Sequence, residues 1–152
     1  MRELADEFFE TKNDPAQITV TEEIIGRLRE IHPATLTEES EADGPIAWIL
    51  VIPTTFEVME EFVDKTINER ELLTSVIPGQ RYDAVYLCSA LVLPEHRGKG
   101  LARRLAVKAV RAIQKEHPII YLFYWSFSVE GDRLANSLAR EFDMPLFRRP
   151  PD

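Results

Sequence analysis

The alternation of apolar and polar residues divides the chain into segments with a helical period and segments with continuous apolar runs. Apolar residues at helical spacing predict five helices, over residues 2–10, 21–31, 54–75, 98–117 and 134–142. Apolar runs predict buried strands over residues 46–52, 83–93 and 119–128, with a short final strand over 144–148. The acidic, turn-rich stretch 37–44 is predicted to be a surface loop.

Capping residues and prolines define several of these ends. Thr21 is placed to cap the helix over 21–31, and either Thr54 or Thr55 is placed to cap the helix over 54–75. Pro53 is expected to end the strand over 46–52, and Pro118 the helix over 98–117.

From residue 83 onward the predicted order is strand, helix, strand, helix and short strand. Two strands that are joined by a helix are expected to be parallel, with a right-handed crossover. The half before residue 83 shows helical patterns and one strand, so it is predicted to be rich in helix. No repeat or linker divides the chain, which predicts one α/β (α+β) domain over residues 1–152.

Composition narrows the class of protein. The 152 residues are 45% hydrophobic and 29% charged, with a net charge of −8, which is typical of a globular domain and disfavours nucleic acid as a partner. No apolar run is long enough to cross a bilayer, and the acidic N-terminus lacks the apolar core of a secretory signal, so no membrane partner is expected. Cys88 is the only cysteine, which fits a reducing compartment, and a cytoplasmic location is predicted. The three histidines are far apart, so no metal site is expected.

The stretch from Leu93 to Arg104, Leu-Pro-Glu-His-Arg-Gly-Lys-Gly-Leu-Ala-Arg-Arg, carries the clearest chemical signal. It links a predicted strand to a helix, and its glycines leave backbone N–H groups uncovered where the first helical turn lacks internal partners. Such N–H groups and the positive end of the helix dipole favour a phosphate-bearing ligand. Four cations lie in this stretch of an acidic chain: Arg97, Lys99, Arg103 and Arg104. An ordinary glycine-rich turn with solvated arginines is the alternative.

The spacing Arg97-x-x-Gly100-x-Ala102 after a strand resembles the coenzyme A-binding signature of the GCN5-related N-acetyltransferases, the GNAT superfamily. The resemblance covers residues 83–147. It implies a mixed central sheet with helices on both faces and two parallel strands that splay apart at their C-terminal ends. The helix-rich N-terminal half is atypical of the superfamily, which usually begins with a strand, two helices and an antiparallel meander.

The resemblance also implies a set of coenzyme-binding residues, with acetyl-CoA as the co-substrate. The strand residues expected to bind the pantetheine arm are Ala90, Leu91 and Val92. The loop residues expected to wrap the pyrophosphate are Gly98, Lys99, Gly100, Leu101, Ala102 and Arg103, with Arg97, Lys99 or Arg104 toward the outer phosphates. Asn136 resembles an asparagine that contacts the coenzyme in the superfamily.

The implied reaction is direct transfer of an acyl group, usually acetyl, to a primary amine of a small molecule or peptide. The backbone N–H of Leu91 is expected to stabilise the oxyanion that forms during attack. The tyrosine that many members use as the proton donor falls on Phe142 or Asp143 here, and neither is a phenol. Tyr86 and Tyr124 are therefore the predicted catalytic side chains.

Purely structural roles for these residues remain as alternatives to the catalytic ones. Tyr86 and Tyr124 also fit core aromatic residues with satisfied hydroxyls, and Cys88, a further candidate for proton transfer, fits a small buried apolar residue. The chain also fits a catalytically degenerate domain that binds acyl-CoA as a regulator, or an interaction domain without coenzyme. The sequence leaves the acceptor, the acyl length and the oligomeric state open, a homodimer included.

Overall fold

The computed structural model describes residues 21–151, which form a five-stranded sheet with helices packed on it. The helices are α1 (Glu22–Ile31), α2 (Phe56–Val63), α3 (Glu69–Ser75), α4 (Leu101–Gln114) and α5 (Val129–Phe142). The strands are β1 (Leu36–Glu41), β2 (Gly44–Thr54), β3 (Ala84–Val92), β4 (Tyr121–Trp125) and β5 (Leu146–Arg149). Short 3-10 helices occupy Pro33–Thr35 and Pro94–His96. The helix predicted over residues 2–10 lies outside the described residues.

The strand order is β1-β2-β3-β4-β5, and the sheet is mixed as predicted. β1, β2 and β3 are antiparallel neighbours, whereas β3, β4 and β5 are parallel neighbours. α4 forms the crossover between β3 and β4, so the prediction of two parallel strands joined by a helix is confirmed.

Helices cover both faces of the sheet. Phe62 of α2 packs against the rings of Tyr86 and Trp125 on one face, with ring centroids 4.8 Å and 6.0 Å away. On the other face the hydroxyl of Tyr124 donates to Asp132 of α5. α4 buries the stripe Leu101, Leu105, Ala109 and Ile113, as its periodicity predicts. No described helix is long and apolar enough to cross a membrane.

The prediction of a loop over residues 37–44 is wrong, because most of this stretch forms β1 and its tight turn into β2. β1 is an edge strand whose last four residues are exposed, so their polar side chains face solvent while the backbone pairs with β2. The pairing comes from a partner strand and not from the side chains of β1. β2 also continues through Pro53 to Thr54, where its predicted end was Pro53.

The helix predicted over residues 54–75 is two helices, α2 and α3. Thr55 caps α2, but the chain turns after it, with Lys65 in the left-handed region at φ +66°. Asn68 and Glu71 then form a capping box that begins α3. The apolar spacing continues across this break, which is why the pattern alone predicts one helix. The helix-rich description of the first half therefore needs correction, since it contains a β-hairpin as well.

Candidate functional site

β3 and β4 separate at their C-terminal ends. They pair only from Ala84 with Tyr121 to Leu87 with Tyr124, although β3 continues to Val92. The register against β2 shifts between the pair Leu50 with Ser89 and the pair Val51 with Leu87, which places a bulge at Cys88, at the point of separation. A bulge bends a strand and increases its twist, and here it takes the end of β3 away from β4. The predicted splay is therefore present, and residues 88–92 present an open edge with no paired strand among the described residues.

The direction of the backbone groups along this open edge follows from the hydrogen bonds near its end. The N–H of Leu93 donates to Ile46 of β2 at 2.9 Å, so by strand alternation the N–H of Leu91 also faces β2. The carbonyl of Val92 instead accepts from Arg97 Nε at 3.0 Å, and so faces away from β2. Alternation then directs the N–H of Ala90 to the open edge. Ala90, and not Leu91 as predicted, thus offers an amide to the cleft.

The loop that follows the open edge exposes a run of backbone donors. Gly98 and Gly100 lie at φ +80° and +74°, a region that favours glycine, and no side chain caps α4 at Gly100. The first helical bond runs from the N–H of Arg104 to the carbonyl of Gly100 at 3.0 Å. The N–H groups of residues 98–103 donate to none of the described residues. This is the arrangement that binds phosphate groups at helix N-termini.

The cations of the loop have different partners. Arg97 bonds Val92, and Arg104 donates to the carbonyl of Lys99 at 3.2 Å, so both hold the loop in place. Arg103 instead extends to α5, where it donates to Ser137 Oγ and to Glu141, each at 2.7 Å. That contact, first of all its hydrogen bond, lowers the pKa of Glu141. Arg103 can therefore serve a phosphate through its backbone, while its side chain fastens α5 to the start of α4.

The same contact brings the predicted Asn136 close to the loop, because Ser137 is its neighbour on α5. Asn136 is exposed, and its amide nitrogen donates to the carbonyl of Asp132 at 2.8 Å. The Arg103–Ser137 contact thus holds the segment of α5 that contains Asn136 against the start of α4, directly after the loop.

Tyr86 lies on the face of the sheet that carries α2, next to a carboxylate that the sequence did not reveal. Tyr86 is fully buried and stacked on Phe123, and its hydroxyl donates to Glu69 Oε2 at 2.5 Å. Burial, followed by the charge of Glu69, raises the pKa of Tyr86 well above its ordinary value. Cys88 Sγ lies 3.6 Å from the same carboxylate oxygen and is partly exposed at the point of separation.

Glu69 is itself only 2% exposed. It begins α3, and Leu72 and Leu73, three and four residues on, are also buried. An acidic residue at helical spacing from two core leucines is the one sequence signal that could have identified it. Together, Tyr86, Cys88 and Glu69 form a cluster of protonatable side chains, of which only Cys88 is partly exposed.

Tyr124 lies on the opposite face, so the structure does not bring the two predicted tyrosines together. Its hydroxyl donates to Asp132 Oδ1 at 2.9 Å, and Ser126 Oγ donates to the same oxygen at 2.7 Å. These bonds, that of Ser126 first, lower the pKa of Asp132. Burial and the bond to Asp132 raise the pKa of Tyr124. Tyr124 is therefore a protonated donor that is already engaged with α5.

A shallow depression lies at the other end of the sheet, lined by Gly79–Arg81 and Gln114–Pro118. These segments lead into the N-terminal ends of β3 and β4, whereas the cleft is at their C-terminal ends. None of the predicted coenzyme or catalytic residues lines the depression.

Comparison with known proteins places this geometry in a family. A family model described as "Acetyltransferase (GNAT) family" matches residues 1–136. The matched span includes β3, the loop with its free N–H groups and the hairpin of the first half, and it ends at Asn136. No curated protein and no solved structure matched the chain.

Proposed function

The chain belongs to the GNAT family of acetyltransferases, and from this premise we propose that it transfers an acyl group, with acetyl as the expected one, from acyl-CoA to a primary amine. The observation that carries the proposal is the continuity of the open edge of residues 88–92 with the loop of free N–H groups at 98–103. The amide-bearing pantetheine arm can pair with the edge while the pyrophosphate binds the loop. One extended ligand then satisfies both sets of backbone groups.

This binding mode leads to a mechanism for the transfer. With the pantetheine along the edge, the thioester carbonyl lies within reach of the Ala90 N–H, which can stabilise the oxyanion. The amine nitrogen bonds to the thioester carbon, the C–S bond breaks, the amine loses a proton and the thiolate gains one. Positioning of the two reactants supplies much of the acceleration.

The cluster of Glu69, Tyr86 and Cys88 is suited to the proton transfers. Cys88 connects the cleft with the buried carboxylate of Glu69 through their 3.6 Å contact. Tyr86 stays protonated and donates to Glu69, so it orients this carboxylate and does not act as a base. We expect Glu69→Gln to lower kcat about 10²-fold or more, within the range for general acid–base groups, with coenzyme affinity unchanged.

The test combines coenzyme binding with turnover. Calorimetry with acetyl-CoA should show binding to the wild type and its loss in Gly100→Glu, where a carboxylate enters the proposed phosphate site. Gly79→Glu is the matched control, since Gly79 has a similar φ of +84° and open space around it but lies in another turn. Release of free thiol from acetyl-CoA over a broad panel of amines then reports transfer. Unchanged affinity in Gly100→Glu would show that the loop is not the coenzyme site.

A domain that binds acyl-CoA without transfer is the second candidate. It is favoured by the end of α5, where Phe142 and Asp143 stand in place of a phenol, and by the two tyrosine hydroxyls that already donate to carboxylates. Binding of acetyl-CoA without thiol release from any amine of the panel would support this candidate over the enzyme.

A further inference from the structure

The face of the sheet that carries α2 contains a buried arginine that pairs with no carboxylate among the described residues. Arg149 at the end of β5 is 6% exposed, and its guanidinium carbon lies 4.4 Å and 4.6 Å from the ring centroids of Phe62 and Trp125. Its Nη1 donates to the backbone carbonyls of Phe62 and Ile67 at 3.0 Å and 2.7 Å. Its Nε is buried and has no hydrogen-bond partner within residues 21–151. No described carboxylate forms an ion pair with it.

A second unused donor lies beside it. Trp125 is 5% exposed, and its buried indole Nε1 also has no hydrogen-bond partner in the described part of the chain. Trp125 and Arg149 are register partners in the β4–β5 ladder, so their side chains project from the same face. Buried polar groups are nearly always hydrogen-bonded, and buried charges are nearly always paired. Two adjacent exceptions indicate an acceptor group, with negative charge, that residues 21–151 do not provide.

The position of these donors connects them with the cleft. Trp125 follows Tyr124, the last residue of β4 that pairs with β3, so it stands across the separation from Cys88. Trp125 and Arg149 therefore lie on the same face as the cluster of Glu69, Tyr86 and Cys88. One face at the mouth of the cleft thus holds a buried carboxylate and, beyond it, a cation with unused donors.

We propose that Arg149 Nε and Trp125 Nε1 bind a carboxylate of the acyl acceptor, which makes the acceptor an amino acid or a closely similar small amino-carboxylate. The inference rests on the proposed function, in which an amine reaches the thioester beside Cys88. The ammonium group of such a zwitterion is directed toward Glu69 and its carboxylate toward Arg149. The two hydrogen bonds of Nη1 explain how Arg149 fixes the end of α2. They do not explain the burial of Arg149 Nε and Trp125 Nε1, whereas a bound carboxylate would accept a hydrogen bond from each.

The experiment compares the twenty standard L-amino acids with their carboxamides, which keep the amine and remove the negative charge. Calorimetry on the full chain saturated with coenzyme A measures binding without turnover, and thiol release from acetyl-CoA measures transfer. We expect at least one amino acid to bind and react about tenfold or more better than its carboxamide, as is typical of a charge-assisted hydrogen bond.

Three variants test the assignment to these residues. Trp125→Phe keeps an aromatic ring but removes the N–H donor, and Arg149→Lys keeps the charge but removes Nε. Each variant should reduce the preference for the amino acid over its carboxamide about tenfold, with the affinity for acetyl-CoA unchanged. Arg148→Gln is the matched control, because Arg148 is exposed and bonds Ser126 on the other face. It should leave the preference unchanged. If burial makes Arg149→Lys unstable in thermal melts, Trp125→Phe decides the question.

The outcomes separate the two levels of the hypothesis. The proposed function would be overturned if the protein did not bind acetyl-CoA, or if no acceptor caused release of thiol. The carboxylate site is tested independently of turnover, by the calorimetric difference between the binding of an amino acid and of its carboxamide. Equal binding of acids and amides, binding of no amino acid, or an unchanged preference in Trp125→Phe would overturn the carboxylate site.

Discussion

Replacement of Gly100 by alanine separates the conformational role of this glycine from its role in ligand binding. Gly100 has φ +74°, and a Cβ atom at this position would meet no protein atom within 4 Å. The substitution therefore causes no clash within the protein, and its cost comes from the left-handed backbone, about 1–2 kcal/mol for a residue with a side chain. In a domain of this size, about 2–4 °C of Tm is lost per kcal/mol, so we expect a decrease of about 2–8 °C.

Gly79→Ala is the internal standard for this cost. Gly79 has φ +84° and equally open surroundings, but it lies in the turn before β3, remote from the loop. Both alanine variants should therefore lose similar stability. Only Gly100→Ala should lose coenzyme affinity, because its methyl group occupies the space in which a phosphate approaches the N–H groups of residues 98–103. The loss of one charge-assisted hydrogen bond is worth about 1.5–3 kcal/mol, or about ten- to hundredfold in Kd.

Thermal melts of the two variants and calorimetric titration with acetyl-CoA measure both quantities. Equal Kd values for Gly100→Ala, Gly79→Ala and the wild type would refute the assignment of the phosphate site to this loop. A large loss of stability in Gly100→Ala alone would instead refute the view that its surroundings are open.

Three further predictions concern the buried polar groups. Tyr124→Phe removes one of the bonds that lower the pKa of Asp132, so this pKa should rise in an NMR titration of the carboxyl carbon, and an unchanged value would contradict the bond. Burial lowers the pKa of His117 below 6.5, so on acidification the imidazole is protonated in the unfolded chain before it is protonated in the folded one. The contribution of neutral His117 to folding stability is therefore fully present above about pH 6.5, and it is lost as the pH falls through the folded-state pKa. In urea unfolding, the free energy of unfolding should decrease less from pH 7 to pH 5 in His117→Gln than in the wild type. An equal decrease would show that His117 does not cause the pH dependence. Tyr86→Phe removes the bond to Glu69 and should cost about 1–2 kcal/mol in urea unfolding, and no loss would show that the bond contributes nothing net.

The parallel half of the fold could be predicted because its signals are local. β3 is a continuous apolar run, α4 has an apolar stripe with helical period, and Gly98 and Gly100 mark the turn between them. The helix over 98–117 was predicted too long at its start because positive φ at both glycines delays the first helical turn to Leu101. The edge strand β1 was missed because its polar side chains carry no strand period, and its backbone pairing depends on β2.

The candidate site likewise contains features with local sequence signals and features that depend on tertiary contacts. The strand–loop–helix geometry at residues 98–103 could be predicted because a strand, two glycines and a helix follow one another directly in the chain, whereas coenzyme binding by these residues stays a prediction. The choice of Leu91 as the cleft-facing amide was not supported, because the direction of each N–H depends on the register with β2. Glu69 was missed because it lies 17 residues from Tyr86 and meets it only when α3 packs on the sheet.

The sequence by itself determined the strand–loop–helix unit and its exposed backbone donors, since those donors depend only on neighbouring residues and on the freedom of glycine at positive φ. Tertiary structure alone decided where β3 leaves β4, which amide faces the gap, and which buried groups gather beside it. Those features arise from strand register and from the burial of Glu69, Trp125 and Arg149 between elements that are distant in the chain. Such contacts depend on packing across the sheet, which no local pattern of residues encodes.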